Sequence, residues 1–162
     1  MMNNKEHKEM ALQLLESVKA AIVTTIDKKG FPQTRAMFNL RNKEQWPKLV
    51  PIFQQHNDDF LLYFTTNTSS TKISDIKSNP AVSVYYYNPD EWQGVMFSGT
   101  IEIVEDTETK KLLWHDGWEK YYPNGYDDPD HTILRLLPTF GRGWNQSTTY
   151  RFAIGAANET KE

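Results

Sequence analysis

The sequence predicts a mainly β fold that closes into an antiparallel barrel, with short helices at its flanks. Three observations carry this. Short runs rich in Val, Ile, Tyr and Phe recur along the chain, tight-turn residues separate them, and helical periodicity is confined to a few short stretches.

Met10, Ala11, Leu14, Leu15 and Val18 fall at helical spacing with polar residues between them, which predicts an amphipathic helix over 5–20 that packs on a sheet. Ala21-Ile22-Val23-Thr24-Thr25-Ile26 reads as a strand, Asp27-Lys28-Lys29-Gly30 as a hairpin turn, and 31–40 as the partner strand. Pro32 near the start of that partner points to a sheet edge or a bulge. Residues 41–57 mix Lys, Gln and two prolines without a period and read as a loop leading to a strand over 60–65. A hydroxyl-rich turn follows, and a short helix carrying Ile73 and Ile76 that Pro80 stops. Residues 81–87 form a strand, Asn88-Pro89-Asp90-Glu91 a turn, and 95–104 a long strand. Asp106 or Thr107 can cap a helix carrying Leu112, Leu113, Trp114 and Trp118, weakened at Gly117. Residues 122–130 read as a loop, and 133–137 and the stretch around Trp144 and 150–154 supply the last strands. The chain shows no internal repeat and no low-complexity segment. Residues 1–4 and 156–162 are expected to be flexible.

With 162 residues the chain suits one domain, 1–162, with a real core. The formal net charge is -3 and no Lys/Arg block occurs, so nucleic acid duplexes and anionic membranes have no electrostatic footprint. Any anion site must be local. Cysteine is absent, which excludes disulfides, thiolate catalysis and cysteine-bound metals. Residues 1–10 lack the apolar run of a signal peptide and no later segment approaches membrane-spanning length, so a cytoplasmic protein is expected. Aromatics reach 13%, so some of Trp46, Trp92, Trp114, Trp118 and Trp144 should line an interface or a ligand, although any single one is better read as core filling.

The strongest local signal is Phe64-Thr65-Thr66-Asn67-Thr68-Ser69-Ser70-Thr71-Lys72, a run of hydroxyls closed by a lysine where strand turns into helix. Free backbone N–H groups and the positive end of a helix favour an anion there, and hydroxyls and an ammonium add hydrogen bonds to it. Helix capping uses the same residue types, but it needs only one or two hydroxyls. The glycines of a Walker-type loop are missing. Arg35, among Thr34, Ala36 and Met37, either faces the barrel interior, where it would need a partner, or lies on the polar face with Gln33. His7, His56, His115 and His131 form no metal-binding pattern and read as exposed or capping residues. Asp127-Asp128-Pro129-Asp130 lacks the spacing of a calcium loop. No GxSxG nucleophile occurs. Trp114, Trp118 and Tyr121 or Tyr122 share a helical face and read as packing or a subunit contact.

Taken in order, Ala21-Ile22-Val23-Thr24-Thr25, Gly30-Phe31-Pro32-Gln33-Thr34-Arg35-Ala36-Met37, Phe64-Thr65-Thr66-Asn67, Ser70-Thr71-Lys72, Asn79-Pro80-Ala81-Val82-Ser83-Val84 and Val95-Met96-Phe97-Ser98-Gly99 resemble the FMN-binding split barrels of pyridoxamine 5'-phosphate oxidase-like proteins, of the general stress protein 26 type. The resemblance spans roughly 14–144. It implies a six-stranded antiparallel Greek-key split barrel that forms a homodimer with an FMN in each of two interface clefts. It places Arg35, Ala36 and Met37 along the flavin, Thr65 and Thr66 at its ring or ribityl chain, and Ser70, Thr71 and Lys72 at its phosphate end. The partner subunit would close the site with Trp92, Gln93, Gly94, Val95 and Trp144.

Departures from that enzyme are specific. Leu40 stands where it has a lysine near the flavin, Thr71 where it has an arginine, and Gly94 where it has a glutamine, with Gln93 adjacent. Residues 145–150 read as a short loop without the arginine and histidine that grip the vitamin substrate. The resemblance therefore implies an FMN-dependent oxidoreductase or flavin reductase that uses a nicotinamide or other small electron donor. The alternatives are a non-catalytic flavin carrier or sensor, and pyridoxamine 5'-phosphate oxidase itself.

Overall fold

The computed structural model describes residues 2–155. The expected tail at 156–162 lies outside them. Helix α1 (Asn4–Ser17) is opened by a capping box: Asn3 Oδ1 accepts the Glu6 amide at 3.0 Å while Glu6 Oε2 accepts the Asn3 amide at 2.6 Å. Its Ala11, Leu14 and Leu15 are buried one turn apart against the sheet. The helix ends at Ser17, three residues before the sequence pattern does. Asn39 Nδ2 donates to the Leu15 and Val18 carbonyls, and Asn42 Nδ2 to those of Ser17 and Val18, so side chains distant in sequence satisfy the orphan acceptors of the last turn.

Strands β1 (Ala20–Ile26) and β2 (Pro32–Phe38) form the expected hairpin, registered from Ile26 opposite Pro32 to Ala20 opposite Phe38. Asp27 Oδ1 braces the turn by accepting from the Lys29 and Phe31 amides, and Gly30 supplies the left-handed residue at φ +85°. Pro32 opens β2, which lies at the end of the strand order, as its missing N–H requires. The expected loop over 41–57 instead contains a 3-10 turn (Pro47–Leu49) and helix α2 (Val50–Gln54). Its prolines sit in first turns, where the absent N–H has no helical acceptor to lose.

Strand β3 (Leu62–Asn67), helix α3 (Thr71–Ser78), and strands β4 (Ala81–Asn88) and β5 (Gln93–Val104) follow. Helix α4 (Thr107–Leu112) stops before the tryptophans, and Trp118 falls in a separate 3-10 turn that opens after Gly117 at φ +98°. Strands β6 (His131–Leu136), β7 (Phe140–Asn145) and β8 (Thr148–Ala153) complete the chain. The stretch read as a loop at 145–150 is thus the tip of a hairpin turning at Gln146 and Ser147, with Gln146 at φ +54°.

The antiparallel strands curl into a half-barrel in the order β2-β1-β4-β5-β6-β3. These are the six strands of the expected barrel, and β7–β8 is a hairpin added beside β5. The long β5 serves both walls: residues 93–98 lie between β4 and β7, and 101–104 pair with β6. Gly99 marks the change of partner, where an added Cβ would stand 3.1 Å from the Leu137 carbonyl oxygen. Phe60, Phe64, Tyr86, Phe97 and Phe152 fill the centre, and a smaller cluster with Leu40, Phe53, Leu113, Trp118 and Ile133 lies to one side. The terminal strands β2 and β3 face each other without pairing. Among the described residues no helix is long and apolar enough to cross a membrane.

Candidate functional site

A cleft of about 550 Å³ opens at the seam between β2 and β3, within the size range of small-molecule sites. Alternation along β2 leaves Arg35 and Met37 half-buried beside exposed Ala36 and Phe38, and all four residues line the cleft. Thr65, Thr66 and Lys72 line it from the opposite side. The cleft has a cationic part and an aromatic part. Arg35, Thr66 and Lys72 form the first, and Phe38, Trp118, Tyr121 and Tyr122 the second. Two residues of β2, Ala36 and Met37, lie between Arg35 and Phe38, a span of about 10 Å of extended chain.

Lys72 Nζ donates to Thr66 Oγ1 at 2.8 Å and to Ser70 Oγ at 2.7 Å. Among the described residues no carboxylate comes within ion-pair distance of it. Burial, and then the neighbouring Arg35 cation, hold this ammonium below its ordinary range. Arg35 donates to Thr25 Oγ1 at 2.8 Å and to the Val23 carbonyl at 3.4 Å, and its Nη2 stands 4.0 Å from Asp75. Burial lowers the Arg35 value too, and Asp75 offsets part of that. So Arg35 turns toward the protein, and the charge it meets there is distant.

The hydroxyl run divides its work. Ser70 is the N-cap of α3 yet makes no capping bond, because its hydroxyl is taken by Lys72. Thr68 pairs with Thr132 at 2.6 Å, and Asp130 fixes the turn by accepting from Asn67 Nδ2 and the Ser69 amide. Thr71 is not brought to the cleft. It lines a separate depression with Lys28, Ser74 and Lys77, and Ser70 lies on that depression too, reaching the cleft only through its hydrogen bond with Lys72.

The other predicted site residues gather elsewhere. Trp92 is 66% exposed at φ +50°, Gln93 Nε2 donates to Asn145 at 3.2 Å, and Trp144 stacks on Tyr85 at 5.1 Å between ring centroids. Gly94 lies directly beneath the Trp144 ring, where any Cβ would collide with it. None of these residues lines the cleft of its own chain. Val95 is fully buried in the core, paired with Tyr86 on one side and Gly143 on the other, so it presents no surface to a ligand.

Trp118, Tyr121 and Tyr122, which the sequence marks as packing or a subunit contact, line the cleft. His131, expected to be exposed or capping, is fully buried, with Nδ1 2.7 Å from the Tyr126 carbonyl and Nε2 2.9 Å from Thr65 Oγ1. Its signal in the sequence was the strand period, which places it on the same face as Ile133.

Residues 6–161 match the family model described as pyridoxamine 5'-phosphate oxidase like. The chain belongs to this pyridoxamine 5'-phosphate oxidase-like family. Its fold is similar to that of a protein from Clostridium acetobutylicum described as related to general stress protein 26 of B. subtilis (pyridoxinephosphate oxidase family). The two are 30% identical with TM-score 0.76, over 94% of this chain and 97% of that one. General stress protein 26 of Bacillus anthracis is 19% identical with TM-score 0.67, over 91% and 99%. A heme binding protein from Mycobacterium smegmatis is 14% identical with TM-score 0.64, over 90% of this chain and 57% of that one. These last two likenesses speak to the family's fold alone. No protein of curated function matches the chain.

Proposed function

We propose that the chain is an FMN-binding flavoprotein, and that it acts as an oxidoreductase or flavin reductase taking electrons from a nicotinamide or other small donor. One observation carries the reading: Lys72 is a half-buried cation at a ligand-sized cleft, held by hydroxyls and met by no carboxylate among the described residues. A phosphate dianion supplies the missing charge, and Thr66 and Ser70 can turn their hydroxyls toward it. Arg35, Ala36, Met37 and Thr65 are positioned to flank the rest of the molecule, and the aromatic part of the cleft suits a planar ring. When bound, the flavin supplies the hydride and one-electron chemistry. The chain's residues bind it, orient it and keep water from it.

We further propose a homodimer in which a second copy brings Trp92, Gln93, Gly94 and Trp144 over this cleft. The exposure of Trp92, and of Phe38 and Tyr121 at the cleft, supports it. Purified protein should be yellow or become so with added FMN, bleach with NAD(P)H, and sediment as a dimer. A protein that stays colourless and ignores FMN sinks the cofactor reading, whereas a yellow protein that no donor bleaches sinks only the turnover.

A carrier or sensor without turnover has one observation in its favour: among the described residues no carboxylate or histidine lines the cleft. Pyridoxamine 5'-phosphate oxidase activity is less favoured, because the two-residue turn between β7 and β8 holds no arginine or histidine. An assay for pyridoxal 5'-phosphate formation decides it.

A further inference from the structure

His131 lies outside the residues that the flavin reading uses, and it is the buried histidine nearest the cleft. It opens β6 diagonally across from Thr65, since Asn67 pairs with His131 and Thr65 with Ile133. The Tyr126 carbonyl, 2.7 Å from Nδ1, can only accept, so Nδ1 carries the proton. Nε2 of the neutral ring is then a lone pair, and the Thr65 hydroxyl, 2.9 Å away, must donate to it. Trp114, Trp118 and Tyr122 enclose the imidazole with ring centroids at 5.5, 6.4 and 4.6 Å. This burial holds the imidazole below its ordinary value; Lys110 of α4 adds to the effect, and the Tyr126 carbonyl and Asp128 oppose it. The ring is therefore neutral at neutral pH.

The hydroxyl has only one proton, and His131 takes it; the Tyr122 phenol, which also hydrogen-bonds Thr65, then donates to that oxygen and fills one of its two acceptor positions, leaving the other for a ligand. We infer that His131 is a positioning residue that fixes Thr65 as a hydrogen-bond acceptor toward the cleft, so that the ligand group seated there must be an N–H or O–H donor. A fully ionised phosphate offers no donor and is turned away from Thr65 toward Lys72. An imide N–H or a polyol hydroxyl is accepted. The geometry holds for any ligand; only the choice of FMN as probe rests on the flavin reading.

Two measurements test this. In ligand-free protein carrying 15N-histidine, His131 should show a pyrrole-type Nδ1 and a pyridine-type Nε2 at pH 7.5. The opposite tautomer or an imidazolium there overturns the proposal whether or not a flavin binds. In FMN titrations Thr65→Val should raise Kd about tenfold, the worth of one hydrogen bond, and Thr65→Ser should restore it to within about twofold. Acidification that protonates His131 turns Nε2 into a donor and frees the Thr65 proton toward the cleft. The ratio of the Thr65→Val Kd to the native Kd should then fall toward one, a comparison in which titration of the FMN phosphate cancels. Equal affinity of Thr65→Val and native protein at pH 7.5, or a ratio independent of pH, overturns it. Native protein that binds no FMN removes the flavin reading and leaves the tautomer measurement to decide.

Discussion

Arg41 and Lys72 are both cations drawn into the protein, and they are held in different ways. Arg41 is 3% exposed and donates from Nε to the Leu61 carbonyl at 2.9 Å, from Nη2 to that of His56 at 2.8 Å and from Nη1 to that of Phe53 at 3.5 Å. Its guanidinium also lies 4.8 Å from the centre of the Phe53 ring. Carbonyls only accept, so each of the three guanidinium nitrogens is committed to backbone, and the group is enclosed by the fold rather than open to a ligand. Lys72 has two hydroxyl partners that can themselves turn and donate, and it opens on a cleft. A cation whose acceptors are fixed backbone carbonyls serves the fold. A cation whose acceptors are rotatable hydroxyls can serve a ligand.

Exchanging what each is asked to do breaks this contrast most sharply. Arg41→Ala removes three charged hydrogen bonds, leaving the buried Leu61 carbonyl without its donor while those of Phe53 and His56 keep backbone N–H partners, and charged hydrogen bonds are worth about 1.5–3 kcal/mol each. A loss of about 3 kcal/mol or more is expected, lowering Tm by roughly 6–12 °C for a chain of this size. FMN affinity of the folded fraction should be unchanged. Lys72→Ala should do the converse, weakening FMN binding by about 1.5–3 kcal/mol while leaving thermal stability unchanged or raised. Calorimetry and fluorescence titration of both variants check the pair. If Lys72→Ala unfolds the protein and Arg41→Ala releases FMN, the assignment of the two cations is wrong.

The difference between the two cations also sets how much of them could be read from sequence. Lys72 sits two and six residues from its partners, so its role is local and the hydroxyl run announces it. Arg41 read as the start of a loop, because its acceptors lie 12 to 20 residues away and belong to backbone, which carries no side-chain signal. Arg35 could not be decided, since its orientation depends on Thr25 across the hairpin. The barrel strands β1 to β6 were legible from period and turn chemistry, with ends displaced by a few residues. The hairpin β7–β8 was obscured by Gly141 and Gly143, residues disfavoured in strands. They are there because an added Cβ would strike the Phe152 and Tyr150 rings of β8. His131 was missed for the same reason as Arg41: its partners Thr65 and Tyr126 meet it only in the folded chain.

Raising the pH separates the two functions of Lys72 by sign. Its folded value is depressed, so between that value and the ordinary 10.5 the unfolded chain binds more protons than the folded one, and stability grows with pH. Loss of the same proton removes the charge that attracts phosphate. Across mildly alkaline pH, below about 10 where the raised tyrosines Tyr85 and Tyr122 begin to oppose it, the ligand-free protein should gain stability relative to Lys72→Ala while FMN affinity falls. Urea midpoints and FMN titrations at pH 7, 8 and 9 read the two trends. Two flat trends would mean that Lys72 keeps its proton throughout this range.

The smallest effect sharpens the role of Arg35. Asp75 is the carboxylate that partly offsets its charge, at 4.0 Å, and it also accepts from the Thr25 hydroxyl at 3.3 Å. Asp75→Asn keeps an acceptor for Thr25 and removes the negative charge from beneath the cleft. With the positive field of Arg35 and Lys72 less opposed, FMN should bind about 0.5–1 kcal/mol more tightly, a two- to fivefold lower Kd, and stability should fall by a similar amount. The two changes come from one cause: the carboxylate favours the fold by neutralising Arg35, and by the same act it weakens the anion site. If Asp75→Asn instead loosens FMN, then the carboxylate acts by holding the guanidinium through Thr25, and orientation rather than net charge is what Arg35 contributes to the cleft.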